Sequence, residues 1–400
     1  MNEKEKQDEH RTKLLDPNSL IANKPNVCSN TAAAAVETCH GPMPEIALNK
    51  NIFQVAPDKA GDAEVPSSEV LQKKDFFSNT IVPSNNAAPI KFKHILLTTD
   101  LSPNADAAVP FAVALAKQSG GTIHLFHAIE MEPGEDFMSG VLIGASAWLA
   151  SVRKQNQEKL LEFATTLGAK TGLNITHTCV NGHPADEAVK FAQKIHADLI
   201  VLSTHGRTGI PHLFLGSVAE KVVRLSPIPV LTVRPGETVP DEMNFKTILV
   251  PTDFSKNAEA ATRFAVEFAR TDGAKLILAH VVESSTYYSD PTWSVGVGPE
   301  VNEWMEFIKA QDEKKLAEAA AKLAATSAAT VTTELKWGRA HEEICNIARE
   351  RKVDLVIMST HGYTGFSHLA FGSVAERVLR SCPVPMLSIR PGTHTSGKAT

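Results

Sequence analysis

The stretch DLIVLSTHGRTGIPHLFLGSVAEKVVRLSPIPVLTVRPG at 198–236 returns as DLVIMSTHGYTGFSHLAFGSVAERVLRSCPVPMLSIRPG at 354–392, with 23 identities in 39 positions and no gap. An earlier pair, ILLTTDLS (95–102) and ILVPTDFS (248–255), lies 153 residues apart where the later pair lies 156 apart. An internal repeat of this strength fixes the domain count before any other reading begins. It implies two homologous units of about 145 residues, each long enough to bury its own core.

The pattern inside the repeat is regular. KHILLTT (93–99) is a short apolar run that ends at Asp100, as a buried parallel strand does. In the following SPNADAAVPFAVALAKQSGG, Ser102 is read as the helix cap, Pro103 as its first position, and Gly120 and Gly121 as its stop. Strand 122–129, a long amphipathic helix 147–170, strand 175–180, helix 183–195, strand 198–203, a helix through GSVAEKVVRL and strand 229–233 complete the unit. The second unit repeats this with strands 247–250, 275–282, 331–336, 354–359 and 384–389 and helices 257–270, 302–328, 341–351 and 372–380. The alternation specifies an α/β class: two tandem doubly wound, Rossmann-like domains, each a five-stranded parallel sheet with helices on both faces. The domains read as 91–236 and 246–393, with a linker at 237–245 and a short C-terminal tail at 394–400. So short a linker makes the units face each other as a built-in pair.

Residues 1–90 differ in kind. Proline recurs through them without helical or strand periodicity, and so little apolar surface does not offset the entropy of ordering. They read as a mostly disordered tail, whose apolar pieces EIALNKNIFQVA (45–56) and SEVLQKKDFF (68–77) are candidate docking segments for an unknown protein partner.

Composition excludes several classes. Forty basic against 45 acidic residues give a net charge of −5, with no Lys/Arg run, so there is no electrostatic footprint for nucleic acid. No apolar run reaches the length of a membrane span, and MNEKEKQDEHRTK is too acidic for a signal or transit peptide. Five cysteines (Cys28, Cys39, Cys179, Cys345, Cys382), odd in number and without CxxC spacing, argue against a disulfide framework or a zinc site and fit a reducing, cytoplasmic setting.

The PTDFS turn, the GHP and GRAHEEI segments before the third helix, and the block HGxxGxxxxxxGSVAExV resemble, taken together, the universal stress protein family in its tandem two-domain form, from about residue 92 to 392. That resemblance implies a stress-response role, a pocket for ATP or another adenine nucleotide (ADP or AMP), and homodimerisation through the last strand; a Mg2+ ion held through the phosphates is compatible with such a pocket. Carried onto this chain, it implies Thr99–Asp100 and Pro251–Thr252–Asp253 at the end of strand one in the pocket, with the adenine contact at Ala128 and Val281. The family's nucleotide pattern is G-x-x-G, nine residues, then G-(S/T). Its first glycine is replaced here by Ser203 and Ser359, and the remainder survives in both units. A Cβ there either crowds the ribose or phosphate, or is tolerated with its hydroxyl facing the ligand.

The residues themselves support a phosphate cradle. In an open parallel sheet ligands bind at the carboxyl ends of the strands, near the point where strand order reverses. Gly206, Gly209, Gly362 and Gly365 follow strand four and let backbone N–H groups approach an anion with no Cβ in the way. Gly216, Ser217 and Val218, and Gly372, Ser373 and Val374, open the last helix, where unpaired amides and the positive dipole end favour negative charge. Arg207 adds a phosphate charge where the second unit has Tyr363, and Pro251 matches the family turn where the first unit has Thr98. Blander readings stand beside these: Asp100 and Asp253 as caps with Ser102 and Ser255, Gly216 and Gly372 as tight turns, His205 and His361 as packed residues, His212 and His368 as surface loop residues. Two His on a loop with no acidic or Cys partner do not make a metal site.

No GxxxxGK[ST] loop, G-x-S-x-G elbow, HExxH or triad spacing is present, so catalysis is limited at most to slow ATP hydrolysis. Two functions remain: a nucleotide-binding regulatory module, or a non-nucleotide-binding structural or interaction protein acting through the pseudo-dimer surface and the N-terminal tail.

Overall fold

A computed structural model describes residues 90–130, 142–206, 215–237, 245–283, 299–326, 329–361 and 371–390. The N-terminal tail up to residue 89, linker residues 238–244 and the C-terminal tail lie outside the described residues. In the first half run β1 (His94–Thr98), a 3₁₀ turn (Ala105–Ala108), α1 (Val109–Ser119), β2 (Thr122–Ile129), α2 (Leu142–Thr171), β3 (Ile175–Asn181), α3 (Pro184–Lys194), β4 (Leu199–Ser203), α4 (Ser217–Leu225) and β5 (Val230–Val233). The second half repeats the order: β6 (Thr247–Pro251), α5 (Lys256–Asp272), β7 (Lys275–Glu283), α6 (Pro299–Thr326), β8 (Val331–Gly338), α7 (Ala340–Glu350), β9 (Leu355–Ser359), α8 (Ser373–Ser381) and β10 (Met386–Ile389).

All ten strands share one sheet in the order β3-β2-β1-β4-β5-β10-β9-β6-β7-β8. Within each half every pairing is parallel. The halves meet where β10 pairs antiparallel with β5, placing Leu387 opposite Leu231. Central strands are buried on both faces, so they read as unbroken apolar runs: Ile95, Leu96 and Leu97 are buried, as are Ile248, Leu249 and Val250. β3 and β8 are the outermost strands and are correspondingly half-exposed, with polar residues interleaved. Each face of the sheet is covered by one apolar layer drawing on both halves: α1, α2, α5 and α6 on one side, α3, α4, α7 and α8 on the other. Phe92 of the first half meets Phe268 of the second at a ring separation of 6.1 Å, so the packing crosses the boundary between repeats.

The seam is reciprocal. The Arg234 guanidinium donates to Leu379 O at 3.1 Å while that of Arg390 donates to Leu225 O at 2.9 Å, each capping the last helix of the other half. Thr232 Oγ1 donates to Met386 O at 3.0 Å, and Arg380 bridges α8 to Glu220 on α4 at 2.9 Å. The last-strand edge, through which the family resemblance implied a homodimer, is therefore used inside one chain.

One local expectation fails. The first helix does not begin at Pro103: the segment after β1 forms a 3₁₀ turn, and the α-helix starts at Val109. Pro110 is the cause. It has no N–H to give to Asp106 O, and the Val109 N–H takes that carbonyl instead, one residue short of α-helical spacing. Ser102 caps the 3₁₀ turn, its Oγ accepting from the Ala105 N–H at 3.3 Å. The second half has Arg263 at the place of Pro110, and α5 there starts directly after Ser255, whose side chain accepts from Ala258 N.

Candidate functional site

In each half the strand order 3-2-1-4-5 reverses at the first strand, so the loops after β1 and β4, and after β6 and β9, splay apart. A cleft of about 470 Å³ opens over the first switch point and one of about 440 Å³ over the second. Because β5 and β10 run antiparallel, the two clefts open at opposite ends of the sheet.

Thr99, Asp100, Ala128, Ser203, Gly206, Gly216, Ser217 and Val218 all line the first cleft. Pro251, Thr252, Asp253, Val281, Ser359, Gly372, Ser373 and Val374 all line the second. Residues drawn from four separate stretches of sequence thus converge twice. Arg207, Gly209, Gly362, Gly365, His212, Tyr363 and His368 lie outside the described residues.

The turn after the first strand is built by its own side chains. Asp100 Oδ1 accepts from Ser102 N at 3.0 Å and Ser102 Oγ at 2.6 Å, and Asp253 Oδ1 accepts from Ser255 N at 3.0 Å. One carboxylate oxygen therefore caps the turn. The other oxygen of Asp100 lies against Gly206, where an added Cβ would stand 2.7 Å from Oδ2, so capping and lining the cleft are not alternatives. Burial, then the Asp100 charge, push Asp106 above the usual carboxylate range.

The loop after β4 is tied to the helix behind it. Gly216 N donates to Thr204 O at 2.8 Å and Gly372 N to Thr360 O at 2.8 Å, and a Cβ on Gly216 would stand 3.0 Å from that carbonyl. Neither glycine offers a side-chain cap to its helix. The first intrahelical bonds run from Glu220 N to Gly216 O and from Glu376 N to Gly372 O, so the preceding amides of each helix have no intrahelical acceptor. They border the cleft together with the Ser217 or Ser373 hydroxyl, an arrangement suited to an anion. Asn104 Nδ2 ties the 3₁₀ segment to Gly206 O at 3.0 Å.

Ser203 and Ser359 resolve the departure from the family pattern in a third way. Each hydroxyl accepts a hydrogen bond from the backbone two residues on, from His205 N at 3.3 Å and His361 N at 3.2 Å, and Ser359 Oγ also donates to His361 O at 2.9 Å. The side chain folds back to brace the loop.

Sequence reasoning passed over a histidine at the end of the second strand as a functional element. Nδ1 of His127 lies 2.8 Å from Thr99 O, and Nδ1 of His280 lies 2.7 Å from Thr252 O. A carbonyl only accepts, so Nδ1 carries the proton in both. His205 and His361, read as packed residues, also line the clefts, their Nδ1 atoms 2.9 Å from the Oγ1 of Thr204 and Thr360. The signal for all four was available, since each recurs at the same place in both repeats.

The model of the universal stress protein family matches residues 91–234 and again 244–390, well over half of the chain. This chain belongs to the universal stress protein family. A universal stress protein of Thermus aquaticus is 35% identical over 147 residues, 36% of this chain and 99% of its own length. One from Mycolicibacterium smegmatis is 26% identical over 303 residues, 74% of this chain and 97% of the relative. The crystal structure of a universal stress protein from Archaeoglobus fulgidus covers 75% of this chain and 97% of its own, with a TM-score of 0.52 at 22% identity, a likeness of fold.

The two clefts of this universal stress protein are not copies. Beside the second, His280 Nε2 lies 3.7 Å from Asp312 Oδ2 on α6, Asp312 holds Lys315 at 2.9 Å, and the Phe254 ring is tilted by 42° against His280 at 4.5 Å with the Lys315 ammonium 5.7 Å over it. The first repeat carries neutral Asn156, which lines its cleft, where the second repeat has Asp312, and Leu101 where the second has Phe254. Among the described residues no group of three or more His, Cys, Asp or Glu could hold a metal ion, and no helix is long and apolar enough to cross a membrane.

Proposed function

We propose that this protein is a stress-response regulatory module that binds an adenine nucleotide, ATP or its ADP or AMP relatives, in one or both clefts. The observation that carries this reading is the doubled convergence of uncapped helix N-terminus, glycine turn and strand-one carboxylate around a cleft of ligand size. Phosphates would lie against the amides and hydroxyl of Ser217 and Val218, or Ser373 and Val374. Asp100 and Asp253 would accept from the sugar hydroxyls, and Ala128 and Val281 would border the base. The close approaches at Gly206 and Gly216 leave no room for a side chain where the phosphate loop closes. A Mg2+ ion would be held through the phosphates, as the chain's own described residues build no cage for it. Such a module acts by differential affinity: the nucleotide favours one arrangement of loop and helix, and a partner reads that arrangement.

The test is mass spectrometry of small molecules released by denaturing the freshly purified full-length protein, scored as moles of nucleotide per chain and followed by calorimetry with added ATP. One or two moles of adenine nucleotide per chain support the reading, and Gly216→Ala combined with Gly372→Ala lowers that occupancy while circular dichroism stays native. A chain that is empty and also ignores ATP would mean the interaction-protein reading, with function carried by the paired surface and the tail.

A further inference from the structure

α7 and α8 lie on the same face of the sheet and together wall the second cleft, with Ala340 and Ile344 from one and Ser373 and Val374 from the other. Two cysteines belong to these helices, one directly after the cleft-lining Ile344 and the other past the end of α8 that points away from the cleft. Cys345 follows Ile344 and is 3% exposed, and Cys382 is the residue after α8 and is 2% exposed. Cys345 Sγ lies 3.5 Å from the hydroxyl of Ser381, a surface residue and the immediate neighbour of Cys382, so the chain brings the two thiols side by side.

The fold does not require this pair. The first repeat carries Val189 and Ser226 at the equivalent places. There the Ser226 hydroxyl pins the turn into β5, accepting from Ile228 N at 3.0 Å and donating to Ile228 O at 2.7 Å. A serine and a valine thus do the structural work, and the thiol pair is an addition confined to the second repeat.

We propose that Cys345 and Cys382 form a hydroperoxide-sensitive thiol pair, whose disulfide staples α7, at the residue after the cleft-lining Ile344, to the far end of α8. Cys345 is the attacking sulfur. The hydrogen bond from Cys382 holds it below the usual thiol range, at about 6, against the opposing effect of burial, and Arg349 and Arg234 contribute positive charge. The same bond and burial raise Cys382, which stays protonated until it is needed. In the first step the Cys345 thiolate attacks one oxygen of the peroxide. An S–O bond forms, the O–O bond breaks, sulfur loses two electrons to the peroxide, and hydroxide leaves to take up a proton as water. In the second step the Cys382 sulfur displaces the hydroxyl of the Cys345 sulfenic acid. The S–S bond forms, the S–O bond breaks, and the departing hydroxide takes the Cys382 proton to give a second water. A dithiol reductant reverses the pair to two thiols. The staple would restrain the wall of the second cleft and leave the first untouched; that consequence rests on the nucleotide reading, whereas the thiol chemistry does not.

Full-length protein without added nucleotide is exposed to a slight molar excess of hydrogen peroxide, denatured in an alkylating agent and digested with trypsin. The expected product joins peptides 340–349 and 381–398, trypsin passing over the Arg390–Pro391 bond, through one disulfide that dithiothreitol splits. Cys345 should be consumed more than tenfold faster than the half-buried Cys179, whose pKa burial pushes up. Cys382→Ser should leave Cys345 as a sulfenic acid trapped by dimedone, and Cys345→Val should abolish both products; these are the first repeat's own residues, chosen so that the variants fold. Both thiols still alkylated after Cys179 has been oxidised, or a disulfide linking either to Cys28, Cys39 or Cys179, overturns the proposal and leaves the nucleotide reading intact.

Discussion

Glu237, at the entrance to the linker, is a carboxyl whose charge the fold disfavours. One carboxylate oxygen accepts from Arg234 N at 2.9 Å, while Oε1 is buried with no hydrogen-bond partner among the described residues. Burial pushes its pKa up to about 7, only partly opposed by the bond from Arg234 and that residue's charge. A carboxyl raised in the folded state binds its proton more tightly there than in the unfolded chain. Its stabilising contribution is therefore full below the unfolded value of about 4.5 and is lost as pH rises toward 7. At roughly 1.4 kcal/mol per pH unit the loss is on the order of 3 kcal/mol. Thermal unfolding should show Tm falling between pH 5 and pH 8, and Glu237→Gln should flatten that fall; an unchanged slope in the variant means the carboxyl is already solvated. Ser359 offers a second test at this scale. Ser359→Gly restores the family pattern but removes both hydroxyl bonds to His361, at a cost of about 1 kcal/mol. Hydrogen exchange at the His361 amide should accelerate in that variant, and an unaltered rate would remove the hydroxyl from any bracing role.

At the scale of elements, much was legible because each strand is a run of apolar residues bounded by punctuation. The sequence-read ranges of all ten strands lie within two residues of the observed ends, helped at the central strands by apolar runs buried on both faces. α1 was misread because two prolines seven residues apart both suit the first turn of a helix, and only the lost donor at Pro110 decides between them. α6 was started late, although Pro299 at its first position signalled the true beginning. The described residues inferred from motifs line the two cavities, whereas the histidines of β2 and β7 were missed because a polar residue inside an apolar strand looks like packing until its carbonyl partner is known. The GHP and GRAHEEI segments stood out in the sequence, but the backbone conformation of their glycines did not. Gly182 and Gly338 leave β3 and β8 with φ of +143° and +146°, a region that a side chain enters only under strain. Gly338→Ala should cost about 1–3 kcal/mol, mostly from the backbone, because the nearest obstacle is the flexible Glu343 side chain 3.1 Å away. Chemical denaturation of that variant beside Gly236→Ala would calibrate the effect, since Gly236 has positive φ in open space.

For the whole molecule, the decisive contact is the seam. β5 and β10 are each only four residues long, yet each is the sole neighbour on its side that prevents an open, apolar sheet edge. Expressed separately, 90–237 and 245–393 should not remain monomers: each half should pair with itself or copurify with the other. Light scattering after size exclusion tests this, and a monodisperse, folded single half would show that the seam is dispensable. The intact chain should unfold in one transition, since both apolar layers and the Phe92–Phe268 contact cross the boundary.

Joining the two copies in one chain also changes what substitution can do. In a two-fold dimer every replacement appears twice and must suit its own mirror position, so the interface stays self-complementary. Here β5 meets β10, not another β5, and each side of the seam is free to drift. The outcome is written in the differences already described: Asn156 against Asp312, Leu101 against Phe254, Val189 and Ser226 against Cys345 and Cys382. Covalent linkage has released a symmetric pair from symmetry, which lets one polypeptide hold two specialised compartments that no identical-subunit assembly could keep distinct.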